Sequence, residues 1–280
     1  MKKHILVPTD FSQPANNALR YALELARSLG ARLTVLSVYQ MPIPMSTPMY
    51  TPGVVLLEDQ QNLAGVERDI DEQLATLETT YLKKAGVPYQ LVKQLGNVEL
   101  SVEKMVNDEA IGLVVMGTHG SGGLRTLLGN TTLHLMRQLH CPVLAIPPEA
   151  SFTRIHRMLL ATDYRHAALP ENYQPLVDLA FALRAHIEVL YVVRAEALLS
   201  DQELDAGRNL KHALDPVPHS FAIRHCDDIN EGITHYLREH PADLLAMMPR
   251  THSLWERMLE GSHTRHMCFH GETPLMTFRA

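Results

Sequence analysis

Cysteine is scarce in this chain. Only three occur in 280 residues, Cys141, Cys226 and Cys268. They are too few and too far apart for a disulfide framework or a metal-type Cys pair, and they fit reduced thiols in a cytosol. A basic excess is missing too: the formal charge is −6 and the Lys and Arg residues are scattered, so no face suits a nucleic-acid backbone. Long apolar runs are absent. The start, Met1-Lys2-Lys3-His4-Ile5-Leu6-Val7-Pro8, is too short for a signal segment, and no later run reaches transmembrane length. The expected location is therefore cytoplasmic, with neither membrane nor nucleic acid as partner. No Ser-His-Asp ordering, H-E-x-x-H, P-loop with G-K-[S/T] or pair of acids at a common strand end occurs, so an efficient enzyme is not indicated.

What is present is an α/β repeat. Apolar residues make up 46% and charged residues 20%, ordinary values for a globular chain, and the length accommodates two domains of about 140 residues. The apolar run Ile5-Leu6-Val7-Pro8-Thr9-Asp10 returns as Met158-Leu159-Leu160-Ala161-Thr162-Asp163. Each copy continues with a helix; Ala15, Ala18, Leu19, Ala22, Leu25 and Leu29 mark the apolar face of the first, and Gly30 ends it. Strands at 33–38 and 187–192 follow, then helical segments, short strands near Tyr89 and Ser220, and helices whose N-caps are Asn97 and Asp228. Buried strands at 113–116 and 244–247 come next, then a closing helix and a strand led by Pro142 or Pro274.

The order is strand-helix repeated to a fifth strand, twice. It predicts two tandem open parallel five-stranded sheets with helices on both faces, Rossmann-like in class. The leading prolines suit edge strands. The units are expected at 1–148 and 152–280, joined at Pro147-Pro148-Glu149-Ala150-Ser151, and paired through their edges as a pseudo-dimer. A Pro-rich stretch, 40–52, interrupts the first copy and reads either as a surface insertion or as a flap over a ligand.

In an open parallel sheet, ligands bind beyond the carboxyl ends of the strands where strand order reverses. Two features of the first half converge there. Strand one delivers Pro8, Thr9 and Asp10; strand four delivers the turn Gly117-Thr118-His119-Gly120-Ser121-Gly122-Gly123, whose backbone N–H groups suit an anion. Gly129-Asn130-Thr131 then opens the next helix, where glycine admits a phosphate and Asn or Thr can cap and donate. Asp10 is placed to accept from a ribose hydroxyl or an adenine amine. His119 reads either as a phosphate-assisting imidazole or as a solvated loop residue.

Three segments, Pro8-Thr9-Asp10-Phe11-Ser12, Val115-Met116-Gly117-Thr118-His119-Gly120 and His140-Cys141-Pro142-Val143-Leu144-Ala145-Ile146, resemble the universal stress protein family, and the resemblance covers nearly the whole chain. It implies a five-stranded parallel sheet, dimerisation through the last strand, and, in ATP-binding members, a G-x2-G-x9-G-[S/T] pattern. Carried over, it places the nucleoside at Pro8, Thr9, Asp10, Val38 and Met116. The phosphates fall at Gly117, Gly120, Gly129, Asn130 and Thr131, with ATP as cofactor and Mg2+ as its accompanying ion; His119, in the same turn, joins the candidate binding residues on its own chemistry. The first half departs from the pattern: eight residues separate Gly120 from Gly129, and Asn130 replaces Ser or Thr.

The second half lacks the first two glycines. Met248 and Thr251, or on a rival alignment Pro249 and His252, stand in their place before Gly261-Ser262, and Trp255, Arg257 and Met258 add bulk. This half is expected to keep the fold without the ATP site. His263, His266 and His270 form a stripe that zinc could bind, but no carboxylate or Cys completes the set, so exposed or capping histidines are the expectation.

Three functions follow. One is a stress-response protein whose first half binds an adenine nucleotide; another is a nucleotide-free scaffold acting through a partner protein. The third, an enzyme hydrolysing a nucleotide with help from His119 or Asp10, lacks an obvious base. Whether two chains form a homodimer is left open.

Overall fold

The structure is a computed structural model; it describes residues 2–40, 55–118, 129–162, 170–193, 200–248 and 273–279, with the backbone alone for 55–62. Two successive rounds of strand and helix build it. The first contains β1 (His4–Thr9), α1 (Gln13–Leu29), β2 (Arg32–Tyr39), α2 (Val55–Leu77), α3 (Lys83–Ala85), β3 (Tyr89–Leu95), α4 (Val98–Asp108), β4 (Leu113–Gly117), α5 (Asn130–Gln138) and β5 (Val143–Ile146). A π-helical turn, Glu78–Leu82, joins α2 to α3. The second contains β6 (Arg157–Thr162), α6 (Gln174–Leu183), β7 (His186–Val193), α7 (Asp201–Leu214), β8 (His219–His225), α8 (Ile229–Glu239), β9 (Leu244–Met247) and β10 (Leu275–Thr277).

The helix ends follow local chemistry. Gly30 terminates α1 in the left-handed region, φ 58°, where a Cβ is costly. Asn97 accepts from Leu100 N–H, and Asp228 accepts from the N–H groups of Asn230 and Glu231, as their sequence positions predict. Ser12 and Ser200 cap α1 and α7 as well; Ser200 and Glu203 form a reciprocal capping box. The predicted last helix of the second copy, with its histidine stripe, and the Pro-rich residues 41–52 lie outside the described residues.

The strand order is β3-β2-β1-β4-β5-β10-β9-β6-β7-β8, one ten-stranded sheet. Within each copy every neighbour is parallel; only β5 and β10 run antiparallel, with Val143 opposite Thr277, Leu144 opposite Met276 and Ala145 opposite Leu275. The two predicted five-stranded sheets are thus present, fused along their last strands. β5 is the edge of the first copy's five strands, and its pairing with β10 makes both internal to the fused sheet, whose own edges are β3 and β8. Pro142 and Pro274 precede their strands, and there only their carbonyls bond, accepting from Val114 N–H and Leu245 N–H at 2.9 Å each. A missing N–H costs nothing at that position.

Helices cover both faces. One apolar layer gathers Leu19, Leu25, Val35, Val115, Leu176, Leu179, Val189 and Leu210; the other gathers Val102, Met105, Leu135, Met116, Leu190, Ile233 and Met247. Both layers draw on both copies. On the first face Asn17 of α1, buried at 7% exposure, donates through Nδ2 to the carbonyls of Pro147 and Ala150 at 3.0 and 2.8 Å. It clamps the link between the copies to a helix of the first. Beside it the rings of Tyr21 and Phe152 meet edge to face at 5.0 Å.

Replacing Asn17 by Ala takes the Nδ2 donor from the Ala150 carbonyl and leaves the Pro147 carbonyl with Ala150 N–H alone, at 3.1 Å. A loss of about 2 kcal/mol in unfolding free energy is expected, measured by urea denaturation, with little change in secondary structure.

Candidate functional site

Strand order reverses between β1 and β4, since β2 and β3 lie on one side of β1 while β4 and β5 lie on the other. The ladder between β1 and β2 runs from His4–Arg32 to Thr9–Ser37. That between β1 and β4 has two rungs, Ile5–Leu113 and Leu6–Val114. Proline explains why it stops. Gly112 N–H donates to the His4 carbonyl at 2.8 Å, so by the two-residue alternation of a strand His4, Leu6 and Pro8 are turned toward β4. Pro8 has no N–H for the next rung. The carboxyl ends of β1 and β4 are left unzipped at the reversal point, the place where open parallel sheets carry their ligand crevice.

The second copy supplies an internal control. Pro8 pairs with Leu36 and Ala161 with Leu190, so Ala161 is the counterpart of Pro8. With an N–H at that position, the ladder between β6 and β9 continues through Ala161–Met247. The outer wall differs as well. Val38, half-buried at the end of β2, corresponds to Val192 of β7, which is buried. A Cβ on Gly232 of α8 would lie 2.7 Å from a Val192 methyl, so this helix packs directly over the position.

At the crevice floor the chain turns sharply from β1 into α1. Thr9 Oγ1 accepts from Phe11 N–H at 3.0 Å, and Asp10 Oδ1 accepts from Ser12 N–H at 3.0 Å. Phe11 adopts φ 61°, a left-handed conformation that favours glycine, and Asn16 Nδ2 steadies its carbonyl at 3.1 Å. The turn leaves the Asp10 side chain exposed at the strand end, while Pro8 and Thr9 are buried. Of the predicted nucleoside residues, Pro8, Asp10, Val38 and Met116 all sit at the carboxyl edges of β1, β2 and β4.

The other wall starts at Gly117, the last residue of β4. A Cβ there would stand 3.0 Å from the backbone of Pro14, so close approach of the first turn of α1 requires glycine. Thr118 N–H donates to the Ile146 carbonyl at 3.1 Å, and Gly129 N–H returns the chain by donating to the Thr118 carbonyl at 2.6 Å. The predicted site residues His119 and Gly120 fall between these anchors, outside the described residues.

Gly129, not Asn130 or Thr131, is the N-cap of α5, and no side chain caps that helix. Its φ of −62° is open to any residue. A Cβ would find its nearest neighbour 3.6 Å away, an ordinary contact. Neither conformation nor packing therefore demands glycine at 129. As a glycine it places no capping side chain over the first N–H groups of α5, and such helix starts attract anions. Asn130 is exposed beside them.

Two further residues emerge only in three dimensions. Thr132 Oγ1 donates to the Gly117 carbonyl at 3.1 Å, tying α5 to the end of β4. Thr131 Oγ1 donates at 2.7 Å to Glu99 Oε1, from the first turn of α4. That hydrogen bond is the main reason the Glu99 carboxyl lies below its ordinary pKa; partial burial works against it. An acid two residues past the Asn97 cap reads in sequence as a helix-dipole partner. Only the packing of α4 on α5 brings it to Thr131.

Of the second-half candidates Met248 is described; Pro249, Thr251, His252, Gly261 and Ser262 are not, nor are His263, His266 and His270. Among the described residues no group of three or more His, Cys, Asp or Glu side chains could hold a metal. No described helix is long and apolar enough to cross a membrane. Burial raises the Cys141 thiol to about 12, which keeps it protonated and unreactive at neutral pH.

Residues 1–147 match the universal stress protein family. Universal stress protein A homolog 1 of Coxiella burnetii is 30% identical over 145 residues, 51% of this chain and 95% of that protein. A universal stress protein of Methanocaldococcus jannaschii is 28% identical over 152 residues, 51% of this chain and 81% of its own length. The fold extends further: the crystal structure of a universal stress protein from Archaeoglobus fulgidus covers 99% of this chain and 96% of its own, with a TM-score of 0.63 at 15% identity.

Substituting Thr131 by Val removes the hydrogen bond that lowers the Glu99 pKa. NMR titration of the Glu99 carboxyl is expected to show it rising toward the ordinary carboxylate value. Because the folded pKa is depressed, the associated stability is present above the unfolded value and fades as pH falls through the folded one. The variant should lose that acid-side component of its pH-stability profile.

Proposed function

Because the chain belongs to the universal stress protein family, we propose that it binds one adenine nucleotide in the crevice between β1 and β4 and acts in the stress response through that occupancy. ATP is the nucleotide that the carried-over residues imply. The reading divides the chain into units at 1–148 and 152–280, with the nucleotide in the first. The nucleoside lies against Pro8, Thr9, Asp10, Val38 and Met116, and Asp10 accepts from a ribose hydroxyl or the adenine amine. The phosphates meet Gly117, the turn containing His119 and Gly120, and the start of α5 at Gly129, Asn130 and Thr131, with Mg2+ accompanying them.

The observation that carries this reading is Gly129. Neither backbone conformation nor packing requires a glycine there, yet glycine is the residue that puts no side-chain cap over the helix N–H groups beside the strand reversal point. The second copy, whose corresponding strands are zipped to Met247 and whose Val192 is covered by α8, supports a stoichiometry of one nucleotide per chain.

A second reading, a nucleotide-free scaffold acting through a partner protein, draws on one observation. The hydroxyls of Thr131 and Thr132, in the first turn of α5, already donate to Glu99 and to the Gly117 carbonyl.

Calorimetric titration with ATP, ADP and AMP, beside an Asp10→Ala variant, separates the two. Nucleotide binding at one site per chain, weakened at least tenfold in the variant, is expected for a lost charge-assisted hydrogen bond of about 1.5–3 kcal/mol. No heat with any nucleotide would leave the scaffold reading standing. Gly117→Ala is the poorer probe, since its added carbon would meet the Pro14 backbone.

A further inference from the structure

The phosphate end of the proposed crevice carries an acid that the carried-over site does not contain. Glu99 stands on α4, outside the strand ends and turns that build the crevice, yet its Oε1 lies 2.7 Å from the Thr131 hydroxyl. Thr131 belongs to the first turn of α5, whose N-cap, Gly129, offers no side chain to the backbone N–H groups. The carboxylate thus reaches the one part of the site where an anion gains most from the helix dipole. It also takes as acceptor the hydroxyl that a phosphate oxygen would use, while the neighbouring Thr132 hydroxyl is held by the Gly117 carbonyl. Asn130 is left as the first-turn side chain that is exposed.

Resting on the proposed nucleotide site, we infer that Glu99 is a specificity-determining residue that sets how much phosphate charge the crevice accepts, biasing it from the triphosphate toward ligands with fewer phosphates. Two effects act in the same direction. A fixed negative charge a few ångströms from the phosphates repels each added charge, and in a partly desolvated crevice that repulsion is far larger than in water. An entering phosphate must also displace the carboxylate from Thr131 to gain its hydroxyl, exchanging one charge-assisted hydrogen bond for another with no net gain. The low pKa of Glu99 accords with this, because the carboxyl is ionised at neutral pH. Adenine and ribose, bound at the β1 and β2 ends of the crevice, are not subject to it.

The test is a matrix of calorimetric affinities for adenosine, AMP, ADP and ATP, measured with excess Mg2+ and with chelator, for the full chain and for Glu99→Gln, which retains an acceptor for Thr131 without the charge. In the unmodified chain affinity is expected not to rise from AMP to ATP. In Glu99→Gln, ATP should tighten about tenfold while adenosine is unchanged, the size of effect that one unit charge exerts through a partly screened site. Glu103→Gln, also on α4 but facing His134 at 3.4 Å, removes the same charge from the helix without touching Thr131 and should leave the ratios as they were. An ATP-to-adenosine ratio unaltered by Glu99→Gln, with nucleotide still bound, overturns the inference and leaves the proposed function intact. Weaker ATP binding in that variant, confined to the Mg2+ series, also overturns it, because the carboxylate would then assist the ligand through the ion. Failure of every nucleotide to bind every protein removes the nucleotide reading and this inference together.

Discussion

The antiparallel register between β5 and β10 is the constraint on which the rest of the chain depends. Each copy ends in a strand that, taken alone, would present an unpaired edge. In the fused sheet Val143, Leu144 and Ala145 face Thr277, Met276 and Leu275, and all six are buried. The apolar layers on the two faces then run without interruption from one copy into the other. Because the partner is carried on the same chain, the pairing does not depend on protein concentration. The edges that remain, β3 and β8, alternate exposed and half-buried positions, the pattern of strands with one dry and one wet side.

The same joint holds up the candidate site. β5 pairs with β10 on one side and with β4 on the other. At its far end the Ile146 carbonyl receives the Thr118 N–H, just where the chain leaves β4. One residue further, the Pro147 carbonyl receives Asn17, on the helix whose first turn presses against Gly117. The crevice wall is therefore braced from the sheet, from α1 and from the link between copies. Among the described residues at this edge, particular side chains separate the two copies. Pro8 against Ala161 decides whether a ladder rung can form, and Gly232 lets α8 descend onto Val192.

Much of this was legible in the sequence. Apolar runs with period-correct helices between them specify strand order and type, because parallel neighbours need crossovers. Local chemistry locates Gly30, Asn97 and Asp228 within their caps. Pro142 and Pro274 mark the approach to the last strands, which meet edge to edge, yet both stand before the strand and interrupt no ladder. The N-cap of α5 falls on Gly129 rather than on Asn130 or Thr131, and the Thr131 and Thr132 hydroxyls turn to Glu99 and the Gly117 carbonyl. Those partners lie 32 and 15 residues away along the chain, and no local pattern predicts such a meeting. Pro8 was singled out as a site residue, but its effect on the β1–β4 ladder depends on which way it faces, and that is fixed only by the register with Gly112.

The bond from Gly129 N–H to the Thr118 carbonyl brings together two residues that are eleven apart in the sequence. Both are anchored elsewhere, Thr118 to β5 and the helix begun by Gly129 to the end of β4 through Thr132. Residues can be gained or lost between them without shifting the helix that follows, since loop closure costs change only slowly with length. The spacing between the glycines is then a poor clock of descent and a poor guide to lost function. Evolution can edit the sequence between these two anchors by single codons while the scaffold on either side keeps its bonds.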